Sequence, residues 1–174
     1  NSQDEAYGIT TDGSGNVYVT GYETRTDLSQ AQNIWVRKYD TNGTVQWTQT
    51  YNKTIYYDSG HDIAVDNSGN VYVIGYETAD GTQNENIWVR KYDTNGLALW
   101  TTTYNAPANS ADYGNGIALD GSGNVYITGR EYRSDLGQNG NILVRKYDTN
   151  GLLIWTTSYN SPTNAWDEGT DIKV

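Results

Sequence analysis

The sequence lacks cysteine, methionine and phenylalanine, and it has only two prolines and one histidine in 174 residues. Without cysteine there is no disulfide framework to indicate an oxidising compartment. A lone His61 cannot build a typical zinc site. No run of about 18 apolar residues is present, so no membrane span is predicted. The missing signal-peptide pattern fits a leader already removed, or an excerpt of a longer chain that opens at Asn1.

Basic residues are also few, with 11 Lys and Arg against 21 Asp and Glu and a net charge of −10. Nucleic acid is bound largely through phosphate neutralisation by basic side chains, so it is not an expected partner. We expect an extracellular or cell-surface protein. Aromatic residues, all of them Trp or Tyr, make up 13% of the chain, which predicts a β-rich core built around these rings.

An internal repeat is the dominant feature of the sequence. The segment Asp12-Gly-Ser-Gly-Asn-Val-Tyr-Val19 returns at 66–73 and, ending in Ile, at 120–127, two steps of 54 residues. A second segment, Val36-Arg-Lys-Tyr-Asp-Thr-Asn-Gly43, returns at 89–96 and 144–151. Each repeat contains four stretches of alternating apolar and polar residues, separated by Gly- and Asn-rich turns, which we name strands A to D.

Short antiparallel strands in groups of four, repeated at this spacing, predict an all-β fold made of β-propeller blades. We expect three four-stranded blades, at about 4–52, 58–105 and 112–160, plus an extra strand A at about 167–174. Closed rings typically have about 4–8 blades. The chain is therefore expected to be part of a longer ring or fibre, or half of a six-bladed ring made by two copies. In the second case the terminal strand, Asp171, Ile172, Lys173 and Val174, would serve assembly.

The three copies share a consensus that begins at the aspartate of strand A and continues through Asp-x-Ser-Gly-Asn-Val-Tyr-Val. It ends in a Val-x-Lys-Tyr-Asp strand and a Trp-Thr strand. This consensus resembles the SBBP β-propeller repeat. It is more distantly similar to NHL-type blades. The resemblance covers nearly the whole chain. It implies a secreted or cell-surface protein with an adhesive or structural role, and it supplies no catalytic motif.

The connections between strands divide into two groups. The A–B and C–D turns, on one rim, are nearly identical in all copies, whereas the B–C and D–A connections, on the opposite rim, differ. We call the latter the variable rim. Variation confined to one rim is typical of a binding face, although drift in tolerant loops is an equal alternative. The candidate ligand-binding residues there are Tyr56, Tyr57, Tyr132, Trp166, Arg25 and Arg133. The alternative is that the aromatic residues among them shield the D–A loop or pack between blades.

Three other sets of residues are candidate sites. Repeated acidic and basic residues on strands B and C are interpreted as structural ion pairs within each blade, and a catalytic carboxylate set is the alternative: Glu23 with Arg37, Glu77 with Arg90, and Glu131 with Arg145. The Asp-x-Ser-Gly-Asn loops are interpreted as hairpin turns, with calcium ligation as the alternative. The aspartates that open strand A either cap the D–A turn or attract cations.

We therefore predict a non-catalytic extracellular binding or scaffold module that mediates assembly or adhesion and carries no metal or cofactor. Expected partners are other copies of the chain, the remaining blades of a longer chain, glycans or a cell-surface protein. A carbohydrate-binding propeller that uses the aromatic residues of the variable rim is the alternative. A polysaccharide-active enzyme ranks third, because no asymmetric cluster of reactive side chains is evident.

Overall fold

The computed structural model describes residues 3–79 and 84–174. Within these residues, twelve strands form three separate four-stranded antiparallel sheets, and each sheet follows the order of the chain. The first sheet comprises β1 (Glu5–Thr11), β2 (Val17–Thr24), β3 (Gln32–Tyr39) and β4 (Val45–Tyr51). The second comprises β5 (Ser59–Val65), β6 (Val71–Thr78), β7 (Glu85–Tyr92) and β8 (Ala98–Tyr104). The third comprises β9 (Tyr113–Leu119), β10 (Val125–Tyr132), β11 (Gly140–Tyr147) and β12 (Leu153–Tyr159).

The B–C connections of the first and third sheets each contain a short 3-10 helix, Thr26–Leu28 and Ser134–Leu136. Part of the corresponding connection in the second sheet, 80–83, lies outside the described residues. No helix in the described residues is long and apolar enough to cross a membrane.

The repeated turns explain why each sheet forms locally. In the first A–B turn, the Asp12 carboxylate accepts hydrogen bonds from the backbone N–H groups of Ser14 and Asn16, at 2.9 and 3.0 Å. Gly15 adopts a φ of 83°, a left-handed conformation that glycine reaches without strain. The aspartate and glycine of the motif therefore fold the chain back on itself before strand B begins.

The three sheets lie side by side around a common axis, with their strands A innermost. Strand β5 contacts β1 and β2 of the first sheet, and β9 contacts β5 and β6 of the second. The inner strands line an open cleft of about 440 Å³ together with residues 171–174. This radial arrangement is that of propeller blades, as the repeat predicts, and the three blades do not close into a ring.

The hydrophobic core is divided into two layers, one at each interface between blades. The first layer packs Tyr18, Ile34 and Val36 of blade 1 against the fully buried Trp88 and other side chains of blade 2. The second layer packs blade 2 against blade 3 in the same way, around Ile74 and other buried side chains. Burying one large aliphatic or aromatic side chain contributes about 1.5–3 kcal/mol, so each blade depends on its neighbour for stability.

Residues 167–174, predicted as an extra strand A, form no strand in the structure. The segment is nevertheless docked on blade 3 as β5 is docked on blade 1. The Asp167 N–H donates to the Gly140 carbonyl at 2.8 Å, as the Asp58 N–H donates to the Gln32 carbonyl at 2.9 Å. The segment is not a β-strand because no strand within 3–79 or 84–174 pairs with its outer edge.

Candidate functional site

The predicted ion pairs between strands B and C are not formed. Glu23 lies opposite Asn33, whereas Arg37 lies opposite Val19, so the two charged side chains are four residues apart along the ladder. The same register separates the corresponding pairs in blades 2 and 3. The prediction was wrong because it assumed that neighbouring strands bring these two positions together.

The arginines instead bind threonines on strand D and stack on aromatic rings. Arg37, Arg90 and Arg145 each donate Nε–H to a hydroxyl, at 2.8, 2.7 and 3.0 Å, and the acceptors are Thr48, Thr101 and Thr156. The Arg90 guanidinium lies 4.2 Å from the ring centre of Tyr51, which belongs to the preceding blade. These arginines therefore stabilise the packing of strands and blades.

The glutamates are contacted from the preceding blade. Tyr51 donates its hydroxyl to Glu77 at 2.5 Å, and Tyr104 donates to Glu131 at the same distance. Glu77 and Glu131 are each only 2% exposed, so both carboxylates are enclosed at an interface between blades. Nearby cations, 3.5 and 3.8 Å away, are Lys53 for Glu77 and Arg133 for Glu131. Two equivalent, enclosed carboxylates in two interfaces are structural parts of the repeat.

The aspartates that open strand A cap the D–A turns. Asp58 accepts the backbone N–H groups of Lys53 and Thr78, both at 2.8 Å. Asp112 accepts the equivalent bonds at 2.6 and 2.9 Å. Burial raises the pKa of both carboxyl groups to about 6 even though they accept these hydrogen bonds.

The A–B loops use their carboxylates inside the turn. Besides the two backbone bonds, Asp12 accepts the Asn16 side-chain amide at 2.8 Å and the Tyr18 hydroxyl at 3.0 Å. The Asn16 amide is the main cause that lowers the pKa of Asp12 to about 2. The same bonds recur around Asp66 and Asp120. In the described part of the chain, no three His, Asp or Glu side chains are grouped so that they could hold a metal ion.

The predicted rim residues divide into two groups. Tyr132 and Trp166 lie together, with ring centres 5.6 Å apart. Tyr56 and Tyr57 are exposed but have no aromatic partner in the described residues. Both predicted arginines form ion pairs within their own loop: Arg25 with Asp27, and Arg133 with Asp135, each at 2.9 Å.

A continuous line of rings crosses the inner end of the variable rim, and we call it the aromatic row. It starts with Tyr22 and Tyr7, whose ring centres are 6.0 Å apart, and continues from Tyr7 to His61 at 5.5 Å. From His61 it passes to Tyr76 at 5.2 Å and on to Tyr113 at 5.1 Å. These separations are those of directly interacting rings, so the row links all three blades.

Arg130 extends the row to the predicted rim pair. Its guanidinium lies 4.7 Å from the ring centre of Tyr113 and 4.8 Å from that of Trp166, which in turn contacts Tyr132. A carboxylate oxygen of Glu168 lies 3.6 Å from the Arg130 guanidinium. The far end of the row therefore combines a 61%-exposed indole with a cation and a carboxylate.

His61 sits in the middle of the row as a structural ring. Its Nδ1–H donates to the Gly114 carbonyl at 3.0 Å, and burial lowers its pKa. At neutral pH the ring is therefore uncharged and contributes an aromatic surface. This position differs in every repeat, being Tyr7 in blade 1 and Asn115 in blade 3.

Sequence reasoning missed most of the aromatic row. Tyr22, Tyr76 and Tyr113 are not among the predicted rim residues, because the repeat does not indicate which rings of neighbouring blades meet. A usable signal was that the position of Tyr22 and Tyr76 holds Arg130 in blade 3, in an otherwise regular strand. Positions that differ between copies on a repeated strand mark surfaces that the packing of blades does not determine.

Comparison with known families agrees with this architecture. The SBBP β-propeller repeat matches the chain three times, at residues 1–22, 46–76 and 99–130. Each of the two later matches covers one strand D and the strands A and B that follow it. No curated protein matches the chain. The three matches are spread across residues 1–130, and each repeat of the sequence folds as one blade. The chain therefore belongs to the SBBP β-propeller repeat family.

Proposed function

We propose that this chain is a non-catalytic binding and scaffold module that acts outside the cell and binds its partner at the aromatic row. Membership of a β-propeller repeat family supports a binding or scaffold role. The proposal rests on one contrast. The polar side chains repeated in every blade are used by the fold itself, whereas the aromatic row is asymmetric and reaches the surface.

The composition of the row suits recognition of a partner. Tyr7 is 53% exposed at one end and Trp166 is 61% exposed at the other. Tyr, Trp and Arg are the residues that most often dominate binding energy at interfaces. Tyr and Trp bury a large area with little loss of side-chain freedom. The scaffold beneath is rigid, because each ring lies on a strand or contacts one that does.

Carbohydrate binding is the second candidate, and the Trp166 end of the row favours it. An exposed indole there stands beside the Arg130 and Glu168 side chains. Sugar rings stack on such an indole through their C–H faces, while the neighbouring guanidinium donates hydrogen bonds to the sugar hydroxyl groups and the carboxylate accepts hydrogen bonds from them. Glycans would then be the partner recognised at this end.

The two candidates can be distinguished on intact cells. Fluorescently labelled protein is tested for attachment to the surface of cells, with and without periodate oxidation of the surface glycans. Attachment that survives periodate supports a protein partner, and attachment that is lost supports glycans. Secretion is tested separately by protease treatment of intact producing cells, which would remove an external protein and spare an internal one.

Variants locate the surface that is responsible. Trp166→Ala is expected to weaken attachment by about fivefold or more, since such rings commonly contribute over 1 kcal/mol at an interface. Tyr56→Ala is the matched control, because Tyr56 is an exposed tyrosine on the same rim outside the row. Equal loss with Tyr56→Ala would argue against the aromatic row, and turnover of a polysaccharide substrate would argue against a non-catalytic role.

A further inference from the structure

The two interfaces between blades are built from the same set of contacts. On strand D of one blade, a tyrosine inserts between a glutamate and an arginine of the next blade, as Tyr51 does with Glu77 and Arg90. Four residues before that tyrosine, a tryptophan donates its indole N–H to a backbone carbonyl of the next C–D turn. Trp47 donates to Thr94 at 3.1 Å, and Trp100 donates to Thr149 at 3.2 Å.

A glycine in each C–D turn makes room for the tryptophan. A Cβ atom at Gly96 would lie 2.9 Å from the Trp47 ring, and one at Gly151 would lie 2.8 Å from the Trp100 ring. Each interface thus contains a complete docking set of five residues. One blade supplies a tyrosine and a tryptophan, and the next blade supplies a glutamate, an arginine and a glycine. Three blades contain two such sets at their internal interfaces, and one half-set remains at each end.

The outer face of blade 3 carries the inserting half. Trp155 and Tyr159 on β12 occupy the positions of Trp47 and Tyr51, and they are 40% and 57% exposed. Every residue of β12 is exposed, whereas the equivalent rings on β4 and β8 are half-buried. These two rings have no acceptor within the described residues.

The outer face of blade 1 carries the receiving half. An open cavity of about 290 Å³ is lined by Glu23, Trp35 and Arg37. It occupies the position in blade 1 that is equivalent to the position in blade 2 where Tyr51 inserts. The Oε1 atom of Glu23 faces Arg25 at 3.6 Å, as Oε1 of Glu77 faces Lys53. No tyrosine of the described residues donates to Glu23, whereas Tyr51 donates to Oε2 of Glu77. Gly43 has the same left-handed backbone as Gly96, with a φ of 79°, but no atom fills the space beside it.

We propose that two copies of this chain join head to tail: Tyr159 of each copy enters the cavity beside Glu23 and Arg37 of the other, and Trp155 packs on Gly43 of that other copy. Such an interface pairs two different surfaces, so it must either close into a ring or continue as a filament. Two copies supply six blades, which lies within the usual range of about 4–8, whereas three copies would exceed it.

Ring closure also determines what residues 167–174 do. The segment lies where strand A of the next blade would lie, so it competes with β1 of the incoming copy for one place. Gly169 there packs against blade 3, and a Cβ atom on it would lie 2.0 Å from the Thr128 Oγ1 atom. That hydroxyl is held in place because it donates to the Leu143 carbonyl at 3.0 Å.

Strand β1 does not fit that place equally well. The equivalent positions in the strands A that pack against a preceding blade are Gly60 and Gly114, but β1 has Ala6. Residues 167–174 therefore stay on blade 3 and pair with β2 of the partner in place of its β1. Tyr7 lies on β1 and leaves the aromatic row in the dimer, so the row of the dimer begins at His61. Asp171 occupies the same position in the repeat as Asp62. Asp62 lies on β5, the strand A that contacts the strands A of both neighbouring blades.

The mass in solution is the first test. The intact chain is expected to elute with twice its mass of 19.4 kDa. Replacing both Trp155 and Tyr159 by Ala should weaken dimerisation by about 30-fold or more, as removal of dominant interface rings does. Tyr56→Ala is the control and should leave the dimer intact. A chain that remains monomeric at millimolar concentration would overturn the proposal, since the two faces would then require blades of another chain.

A mixing experiment tests the head-to-tail geometry. Arg37→Glu removes the receiving half because it replaces the guanidinium on which the Tyr159 ring would stack, as Tyr51 stacks on Arg90. The double Ala variant removes the inserting half. Each variant alone is expected to be monomeric. Mixed in equal amounts they should form a heterodimer, because one intact inserting face still meets one intact receiving face. Failure of the mixture to associate would show that the contact is not head to tail.

The exchange of strands is tested by a disulfide in this cysteine-free chain. By analogy with Val65, which lies opposite Val71 in blade 2, Val174 should lie opposite Val17 of the partner. Facing residues on antiparallel strands are close enough for a disulfide. The variant Val17→Cys/Val174→Cys should give a cross-linked dimer on a non-reducing gel. A dimer that forms without this cross-link would refute the strand exchange.

Discussion

The hydroxyl of Tyr51 and the carboxylate of Glu77 meet at 2.5 Å across the boundary between two blades, and Tyr104 and Glu131 repeat this contact one blade later. Burial is the main cause that raises the pKa of both tyrosines well above the usual value, and the glutamate contributes to the shift. Because the two partners come from different sheets, this bond stabilises the interface between neighbouring blades.

Removing the hydroxyl should destabilise the protein without changing its fold. Tyr104→Phe leaves the buried Glu131 carboxylate with one donor fewer, which costs about 1–3 kcal/mol for a charged group. Urea unfolding followed by tryptophan fluorescence measures the free energy of unfolding. Tyr159→Phe is the matched control at the exposed end and should change stability by less than about 0.5 kcal/mol in the monomer. Equal effects would show that the interblade bond contributes nothing.

Close packing between blades predicts a second stability difference. A Cβ atom at Gly114 would lie 2.5 Å from the Ile74 Cγ1 atom and 2.9 Å from the Gly75 carbonyl oxygen. Gly114→Ala should therefore cost about 1–3 kcal/mol through overpacking. At Gly121, in an A–B turn, no atom lies within 4 Å of the added group. Thermal denaturation should place Gly121→Ala near the parent protein and Gly114→Ala clearly below it.

The period of the sequence was sufficient to predict the blades, but not the contacts between them. Asp12, Ser14 and Gly15 specify their turn within a few residues, so the A–B hairpins could be predicted from the repeated motif alone. The Tyr51 and Glu77 pair is separated by 26 residues and joins two sheets. A repeat states that such residues recur, and it does not state which face of a strand meets which neighbour.

The same limitation explains the incorrect ion pairs. Glu23 and Arg37 lie on adjacent strands, but the ladder pairs Glu23 with Asn33, so the distance between the two depends on a register that composition cannot supply. The repeat was sufficient to place Tyr132 and Trp166 on the same variable rim, but not to predict that Arg130 lies between Trp166 and Tyr113. The asymmetric surface is indicated by side chains that differ between copies, and a consensus of the copies leaves these side chains out.

Buried carboxyl groups predict that the protein becomes less stable as the pH rises from 4 to 6. The pKa of Asp58 and of Asp112 is about 6 when folded, against about 3.9 in an unfolded chain. The folded state therefore binds more protons in this window, and ionisation above it costs about 1–3 kcal/mol per carboxyl. His61 acts in the opposite direction, because burial lowers its pKa and stability falls as it is protonated.

A His61→Asn background isolates the carboxyl groups, since Asn occupies the same position in blade 3 as Asn115. In that background, the free energy of unfolding should decrease between pH 4 and 6. Adding Asp58→Asn and Asp112→Asn should remove most of this slope, because the amide stays uncharged. Burial also raises the pKa of Asp62, which accounts for a smaller remaining slope. Stability that increases over the same range would contradict the assignment.

Calcium removal should leave the stability of the blades unchanged, because the A–B carboxylates already accept hydrogen bonds from the turn. Asp66 accepts two backbone N–H groups and the Asn70 amide, and it lies within 3.1 Å of the Tyr72 hydroxyl. We therefore expect the same melting temperature in EDTA and in millimolar calcium. Asn70→Ala removes the amide and should lower the melting temperature equally in both buffers. A melting temperature raised by calcium, and a loss of that rise in Asn70→Ala, would instead identify the loop as a cation site.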